Sequence, residues 1–314
     1  MEEVREHQPG NVVGDTIGRL RCGDAKTHGE ITIIPLFGNG RTPAQVLTMD
    51  EALREQTLKV REISESGSVP ELYLANEGDK PVLIIDGEEL VGARQNRILN
   101  STLLVAAGVH IKAPVSCCER GRWQSRSRHF GSKGNMAFMQ LRKSAIHSVS
   151  HSLKCSGSHS SDQNLVWREI DKAMSVCPVS SPTSAMEHLY DTQTPQADAV
   201  VDALKPEPRQ LGHVVITDGR VQGADVFHDS ELYGKLHRKL VRSYTVARTK
   251  GDEACCVNSR DLAEQFLAIA SRVRSEVHPG ISLGRDHRIE TPVLLGAALE
   301  HDNEILFAEI FPND

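Results

Sequence analysis

Short apolar runs follow one another closely between residues 71 and 115, with few residues between them. The runs Glu71 to Ala75, Val82 to Ile85, Leu103 to Ala106 and Val109 to Val115 have the length and composition of β-strands. Parallel strands need a crossover of about a dozen residues or more, usually a helix, and no helix of useful length fits between these runs. The sequence therefore predicts an antiparallel meander in this part of the chain.

The C-terminal part repeats this pattern as hairpins. Asp218-Gly219 lies between two strand-like segments, and this dipeptide is a strong signal for a tight turn. The runs Val293 to Leu299 and Glu304 to Phe311 flank a second turn at His301-Asp302-Asn303. We therefore expect the chain to end in antiparallel strands.

Apolar residues at helical spacing predict helices in the middle of the chain and beyond it. The predicted helices are Met136 to Val149, a helix capped by Asp162, a helical hairpin from Thr183 to Leu204, Glu231 to Tyr244, and a helix that begins at Asp261. Strands therefore precede and follow a largely helical stretch. We predict the α+β class, with a largely antiparallel β-sheet or sandwich core, a helical insertion and C-terminal hairpins.

The length of 314 residues allows a sizeable core, in one large domain or two smaller ones. Residues 1–29 are rich in glycine and charge, which predicts a flexible N-terminal lead-in. We interpret residues 30–314 as a single domain, in which a basic loop and the helical insertion occupy about 120–210. The sequence indicates no oligomeric state.

Composition is that of a soluble protein, with 39% hydrophobic residues and no continuous membrane-spanning run. The first ten residues are charged and lack the apolar core of a secretory signal. Seven cysteines include the adjacent pairs Cys117-Cys118 and Cys255-Cys256 and no C-x-x-C, which does not resemble a disulfide framework or a structural zinc site. These features favour a cytoplasmic location and no membrane partner.

Charge is unevenly distributed along the chain, whose net charge is −6. Between Arg120 and Ser161 there is no Asp or Glu, while eight of the 36 lysines and arginines lie there. A basic segment in an otherwise acidic protein indicates a small anionic ligand, such as a nucleotide-like compound, or else a solvated loop. Nucleic acid is not expected, because few aromatic residues interleave with these charges and the rest of the chain would repel a polyanion.

Polar residues gather where the predicted strands end. Asp86-Gly87-Glu88-Glu89 directly follows an apolar run, and we interpret Asp86 and Glu88 as solvated acids of a hairpin turn. Glu89 opens the next apolar stretch, where burial would raise its pKa and make it a candidate acid or base.

Gln95, Asn96 and Arg97 form the second polar group. In an extended segment Gln95 and Arg97 point to one face and Asn96 to the other. In a turn, Asn96 would instead bond neighbouring backbone. Arginine offers a planar fork of donors to phosphate or carboxylate, so this group suits a ligand with amide-type and anionic parts.

The third group is Ser-Cys-Cys-Glu-Arg-Gly-Arg-Trp, residues 116–123. Cys117 is either a nucleophile activated by nearby arginines or a small buried side chain. Glu119 is either a catalytic carboxylate or an ion-pair partner of Arg120 and Arg122, and these arginines can take phosphates. Trp123 is either part of the core or a surface on which a base stacks.

Other catalytic signatures are missing from the sequence. His147 and His151 share a helical spacing, but no H-E-x-x-H surrounds them, and we expect no metal site. There is no G-x-S-x-G, no G-x-G-x-x-G and no P-loop, so no particular cofactor is indicated.

Three linked motifs carry a resemblance to a known family. They are D-G-E-E-L-V-G-A-R-Q-N-R, P-V-S-C-C-E-R-G-R-W and S-D-Q-N-L-V-W, in that order. They resemble the ARG and rhodanese-phosphatase-superfamily-associated protein domain, whose pattern is G-E-E-L-x-G-A-x-Q-N-R, P-V-S-C-x-E-x-G-R-W and D-Q-x-x-V-W. The resemblance runs from Thr48 to the C-terminus and implies a role in NAD or ADP-ribose metabolism.

The resemblance also affects which residues we select as site candidates. Cys118 stands where the family pattern varies, so only Cys117 carries the likeness. Asp162 and Gln163 match the third motif and become ligand-binding candidates, although a helix cap also explains them.

We expect Glu89, residues 95–97 and residues 117–123 to converge on one site for an ADP-ribose-like or NAD-derived compound. Arg97, Arg120 and Arg122 would take phosphates, Gln95 and Asn96 would orient polar groups, and Trp123 would stack. Glu89, Glu119 or Cys117 would serve catalysis by hydrolysis or group transfer. The alternative is a non-catalytic binding or scaffold protein, in which these residues satisfy a buried network.

Overall fold

The computed structural model describes residues 11–39, 42, 44–64, 70–124, 126–248 and 258–313. These residues form seven helices and eighteen strands. The helices are α1 (Val12–Gly18), α2 (Met49–Arg54), α3 (Met139–Ser156), α4 (Gln163–Val176), α5 (Glu187–Ala203), α6 (Ser230–Thr245) and α7 (Ser259–Ala270). The strands are β1 (Arg21–Cys22), β2 (Lys26–His28), β3 (Ile31–Phe37), β4 (Leu47–Thr48), β5 (Leu58–Glu62), β6 (Glu71–Asn76), β7 (Val82–Ile84), β8 (Glu89–Gly92), β9 (Arg97–Leu99), β10 (Leu103–Val105), β11 (His110–Cys117), β12 (Phe130–Gly131), β13 (Gly212–Thr217), β14 (Arg220–Phe227), β15 (Glu276–Pro279), β16 (Arg285–Glu290), β17 (Leu294–His301) and β18 (Glu304–Pro312).

The largest sheet joins the two ends of the described chain. Its order is β1-β3-β13-β14-β18-β17-β16-β15, and β2 also pairs with β3. The hairpin at Asp218-Gly219 supplies β13 and β14, and both turn residues have positive φ, as a two-residue hairpin requires. The sequence prediction of C-terminal hairpins is confirmed.

The first half of the chain forms two smaller sheets, ordered β12-β8-β9-β11-β6-β5 and β10-β7-β4. Within the described residues, every strand pair is antiparallel except β4 with β7. The α+β class with a largely antiparallel core is therefore confirmed.

One hydrophobic cluster connects the small sheets to the large one. It packs Leu83, Ile85 and Leu104 from the first half against residues such as Tyr233 and Leu299 from the second. Helix α6 presents to the core the stripe that its four-residue spacing predicts, and the side chain of Asp229 caps the helix by accepting from the N–H groups of residues 231 and 232. The core continues across both halves.

The helical insertion consists of α3, α4 and α5, within the predicted limits of about 120–210. The helical hairpin expected from Thr183 to Leu204 is wrong, because a single helix, α5, spans Glu187–Ala203 with Pro195 inside it. The β15–β16 hairpin was not predicted from the sequence, because its strands are rich in charged residues and lack the apolar alternation of a strand.

The expected N-terminal lead-in is only partly described. Residues 1–10 lie outside the described residues, as does the Cys255-Cys256 pair. From Asn11 onward the expectation of a flexible segment is wrong, because Asn11 caps α1 and the helix buries Val13 and Ile17 in the core of the large sheet. No helix in the described part of the chain is both long and apolar enough to cross a membrane.

Candidate functional site

Strands β8, β9 and β11 bring the first two motifs together. Arg97 lies opposite Cys117 on one side and opposite Leu90 on the other, while Glu89 lies opposite Ile98. Residues directly opposite one another share a face of a sheet, and neighbours along a strand alternate between faces. The motif residues therefore divide between two faces.

The first group is called the arginine face and consists of Gln95, Arg97, Cys117 and Gln163. The Arg97 Nη1 atom donates to Gln95 Oε1 at 3.1 Å, so these two side chains point together, as the extended pattern predicted. The Cys117 thiol also donates to Gln95 Oε1, at 3.2 Å. All three side chains are buried.

The third motif completes the arginine face. Gln163, at the start of α4, accepts from the backbone N–H of Cys117 at 2.7 Å and donates to its carbonyl at 2.8 Å. Asp162 is exposed and accepts from the N–H of Asn164 as the helix cap. Gln163 therefore joins the site, whereas Asp162 holds the start of the helix.

Arg97 is a fully buried cation without a carboxylate partner. Among the described residues no carboxylate oxygen lies within the 4.0 Å of an ion pair, and the Nε and Nη2 atoms have no hydrogen-bond acceptor. Only Nη1 is engaged, by Gln95 and by the Asn96 carbonyl at 3.4 Å. An unpaired buried guanidinium is costly, so this residue demands an explanation.

Cys117 lacks the properties of an activated nucleophile. Burial raises the pKa of its thiol above the ordinary value, by more than the nearby Arg97 lowers it. Its single S–H is within hydrogen-bond reach of two acceptors, Gln95 Oε1 at 3.2 Å and the Glu119 carbonyl at 3.1 Å. A nucleophile needs the thiolate at neutral pH, so the alternative of a small buried side chain fits this geometry.

The second group is called the carboxylate face and consists of Glu89, Asn96, Cys118, Glu119, Arg122, Asn135 and Glu187. Glu89 is fully buried, accepts from Asn135 Nδ2 at 3.1 Å, and lies 3.6 Å from the Cys118 sulfur. Burial raises the pKa of Glu89 to about 7, despite the opposing hydrogen bond from Asn135. The expectation that Glu89 faces inward is confirmed, and its role as an acid or base stays a prediction.

Glu119 and Arg122 form a closed ion pair on this face. The Nε and Nη2 atoms of Arg122 donate to Glu119 Oε2 at 2.9 and 2.6 Å. Burial would raise the pKa of Glu119, but the hydrogen bonds from Arg122 and from the Asn96 N–H lower it. Glu119 is therefore ionised, and its geometry matches the ion-pair alternative.

The remaining donors of Arg122 are also occupied. They bond the carbonyls of Gly92, Ala93 and Gln124 and the side chain of Asn96. No N–H of this guanidinium is left for a phosphate, so the expected phosphate role of Arg122 is wrong in this conformation.

Asn96 connects this ion pair to the helical insertion. Its side chain accepts from the N–H of Gly92 at 3.2 Å, the backbone bond expected of a turn residue, and donates to Glu187 Oε2 at 2.8 Å. Glu187 also pairs with Lys133. No local signal in the sequence points to Asn135, Lys133 or Glu187, because their roles depend on contacts with distant segments.

Asp86 and Glu88 contradict the expectation of solvated acids. Asp86 is 4% exposed and Glu88 is fully buried. Glu88 pairs with Lys239 of α6, and Asp86 accepts from Thr102 Oγ1 at 2.8 Å. Partners from outside the turn draw both carboxylates inward.

Two residues of the basic segment, Arg120 and Trp123, lie at the surface. Arg120 is half-exposed, pairs with Asp171 at 3.2 Å and lies over the ring of Trp167. Trp123 is 44% exposed, which excludes a core position, and the Arg94 guanidinium lies 5.6 Å from its ring centre. Arg120 and Trp123 therefore lie at the surface beside the buried residues.

Two cavities in the described part of the chain lie away from both faces. A cavity of about 660 Å³ lies between α1, β1 and α7, and another of about 570 Å³ lies beside α5 and Arg248. Neither is lined by a residue of the arginine or carboxylate face. Among the described residues, no group of three or more His, Cys, Asp or Glu side chains is arranged to hold a metal ion.

The three sequence motifs that the fold brings together are characteristic of one protein-domain family. The sequence signature of the ARG and rhodanese-phosphatase-superfamily-associated protein domain matches residues 19–311. No curated protein and no solved structure matches the chain. The match begins before Thr48 and covers nearly the whole chain, including both smaller sheets, the helical insertion and the large sheet. The chain therefore belongs to the ARG and rhodanese-phosphatase-superfamily-associated protein domain family.

Proposed function

We propose that the arginine face binds a small anionic compound of the ADP-ribose-like or NAD-derived class. The observation that supports the proposal is Arg97, a buried guanidinium that has two unbonded donors and no carboxylate partner among the residues that the structure describes. A buried charge of this kind is stable only with a counter-charge, and an anionic ligand supplies one.

The two unbonded donors point to a two-oxygen anion. Nε–H and Nη2–H lie on the same edge of the guanidinium plane, the edge that binds carboxylate or phosphate through two parallel hydrogen bonds. Nη1 is already fixed by Gln95, which holds the plane of the fork in place. A phosphate group fits this fork, and the surrounding basic loop would favour an anion at long range.

Catalysis would also require a group that transfers protons, and Glu89 is the candidate. Glu89 has a pKa of about 7, which suits a general acid or base at neutral pH. It lies on the carboxylate face, opposite to Arg97, so a reaction by hydrolysis or group transfer requires a rearrangement of the closed site. Binding at Arg97 is the part of this function that the geometry supports best.

The scaffold alternative also has a specific observation in its favour. Arg122, Glu119 and Asn96 satisfy one another and the backbone completely. A network of this kind specifies a unique packing without needing a ligand. The carboxylate face therefore fits a structural role, whereas the arginine face does not.

Calorimetry and thermal shift with phosphate, ribose 5-phosphate, ADP-ribose and NAD test the proposal. We expect binding to the wild type and a loss of affinity of about 10-fold or more in Arg97→Gln, since hydrogen bonds to charged groups contribute about 1.5–3 kcal/mol. Arg238→Gln is the matched control, because Arg238 is an exposed arginine of α6 that pairs with Asp198. Arg97→Lys keeps the charge without the fork and should bind weakly.

Two outcomes would decide for the scaffold. One is that none of the four compounds binds or stabilises the wild type. The other is that a compound binds equally well to Arg97→Lys, Arg238→Gln and wild type. Turnover of any bound compound, followed by chromatography of the products, should disappear in Glu89→Gln while binding remains.

A further inference from the structure

Three polar side chains at one edge of the large sheet are joined by hydrogen bonds. Ser275 directly precedes β15, His287 lies in β16 and Glu300 lies in β17. The Ser275 hydroxyl oxygen lies 2.8 Å from His287 Nδ1, and His287 Nε2 lies 2.6 Å from Glu300 Oε2. His287 and Glu300 are buried, whereas Ser275 is partly exposed. The hydroxyl is therefore the member of this group that solvent reaches.

The register of the sheet explains why these groups meet. Val277 lies opposite His287, and Arg285 lies opposite Glu300. Arg285 and His287 are two residues apart in β16, and residues two apart in a strand share a face of the sheet. Because the three side chains come from separate segments, no short sequence motif marks them.

The hydrogen-bond partners determine where the imidazole carries its proton. Burial would raise the pKa of Glu300, but the hydrogen bonds from Arg285 and His287 lower it, so this carboxylate is ionised and can only accept. In the neutral imidazole the single N–H is therefore the one on Nε2. Nδ1 is then an acceptor, and the Ser275 hydroxyl donates to it.

We propose that Ser275 is a nucleophile for acyl transfer, that His287 is its general base, and that Glu300 positions the imidazole. Serine hydrolases link a hydroxyl, an imidazole and a carboxylate in this order. Here Nδ1 faces the serine and Nε2 faces the carboxylate, which reverses the usual assignment, and either ring nitrogen can act as a base. The proposal does not depend on the function proposed for Arg97.

The substrate class is an ester with a small apolar acyl group. Val277 is 44% exposed and lies opposite His287, so it offers apolar surface beside the nucleophile. β15 is the last strand in the order of the large sheet, and no strand of the described residues pairs with its outer edge. An edge strand presents backbone N–H groups that lack a strand partner, and such groups stabilise the negative charge on a carbonyl oxygen under attack.

The reaction needs only the ester and water. Ser275 Oγ forms a bond to the carbonyl carbon while its proton passes to His287 Nδ1. The bond from that carbon to the alcohol oxygen then breaks, and the departing oxygen takes the proton from Nδ1. Water attacks the acyl-serine in the same way, which releases the carboxylic acid and restores Ser275.

Labelling with a fluorophosphonate tests the proposal, because this reagent reacts with activated serine hydroxyls. We expect the native wild type to gain one adduct, which peptide mass spectrometry places on Ser275, and the urea-unfolded protein to gain none. Ser275→Ala should abolish the labelling. His287→Gln should slow it by about 100-fold or more, the usual contribution of a general base.

Ser181→Ala is the matched control. Ser181 Oγ lies 2.7 Å from His188 Nδ1, so it also has an imidazole partner. Among the described residues, no carboxylate lies within ion-pair distance of His188. The control should therefore be labelled at the wild-type rate. A native wild type that gains no adduct on Ser275 would overturn the proposal, and so would a folded His287→Gln that is labelled as fast as the wild type.

Hydrolysis of p-nitrophenyl acetate tests the positioning role of Glu300. In Glu300→Gln the amide can donate to Nε2, which moves the imidazole proton to Nδ1 and removes the base. We expect kcat to fall while KM stays unchanged, because Glu300 does not touch the ester. An unchanged kcat in the folded variant would show that Glu300 has no part in the reaction.

Discussion

Glu89 gives the sharpest test of the electrostatics of the site. The substitution Glu89→Gln replaces a buried carboxyl group by an amide of the same shape, which resembles the neutral acid. Its carbonyl can still accept from Asn135, and its amide faces the Cys118 sulfur. The exchange therefore removes the ionisation and little else.

The magnitude follows from the pKa of Glu89. Burial raises it from 4.5 to about 7, which corresponds to a preference of about 3 kcal/mol for the neutral form in the folded protein. Because the folded-state pKa is raised, this stability is complete below about pH 4.5 and is lost as pH rises through 7. Above pH 7, Glu89→Gln should therefore be more stable than the wild type, and the difference should approach about 3 kcal/mol.

The assay is urea unfolding at pH 5, 6, 7 and 8 at constant ionic strength. At each pH, the free energy of unfolding of the wild type is subtracted from that of the variant. The matched control is Glu187→Gln, on the same face. Hydrogen bonds from Lys133 and Asn96 outweigh burial and lower the pKa of Glu187 below its ordinary value of 4.5. This variant should therefore be less stable than the wild type by a nearly constant amount from pH 5 to pH 8, because stability from a lowered pKa is lost only at more acidic pH. If the difference in the free energy of unfolding between Glu89→Gln and the wild type does not change from pH 5 to pH 8, the raised pKa of Glu89 is refuted.

Two further substitutions test the packing around the site. Arg122→Ala should destabilise the protein by about 3–5 kcal/mol in urea unfolding, because it removes the nearest counter-charge of the buried Glu119 and leaves only the exposed Arg126 at 3.9 Å. A loss below about 1 kcal/mol would show that water replaces the guanidinium. Asp229→Ala should cost about 1–2 kcal/mol, because Asp229 caps α6 and also accepts from the Ala44 N–H; an unchanged unfolding midpoint would contradict this.

Local sequence signals predicted local structure well. Thr48 and Glu51 have the sequence spacing of a capping box and form one at the start of α2, and Asp218-Gly219 turns the expected hairpin. In both cases the residues that determine the conformation are neighbours in sequence, so their side-chain chemistry is sufficient.

The charged residues of the site depend on distant partners and could be predicted only in part. The burial of Glu89 could be predicted from its position at the start of an apolar run. Asp86 and Glu88 were wrongly predicted to be solvated, because their partners Thr102 and Lys239 lie outside the turn. The occupied donors of Arg122 could not be foreseen either, since three of its partners are backbone carbonyls. Side-chain type alone does not show which carbonyls a fold brings near.

The pairing of β3 with β13 has a consequence for biosynthesis. Ile31–Phe37 leaves the ribosome long before its partner Gly212–Thr217, which follows only after the whole helical insertion, and β18 comes later still. Until then the edge of β3 that faces β13 stays unpaired, and an apolar strand with an open edge is prone to aggregate. Contacts between segments so remote also make for slow folding, so added chaperones should raise the yield of this protein on expression.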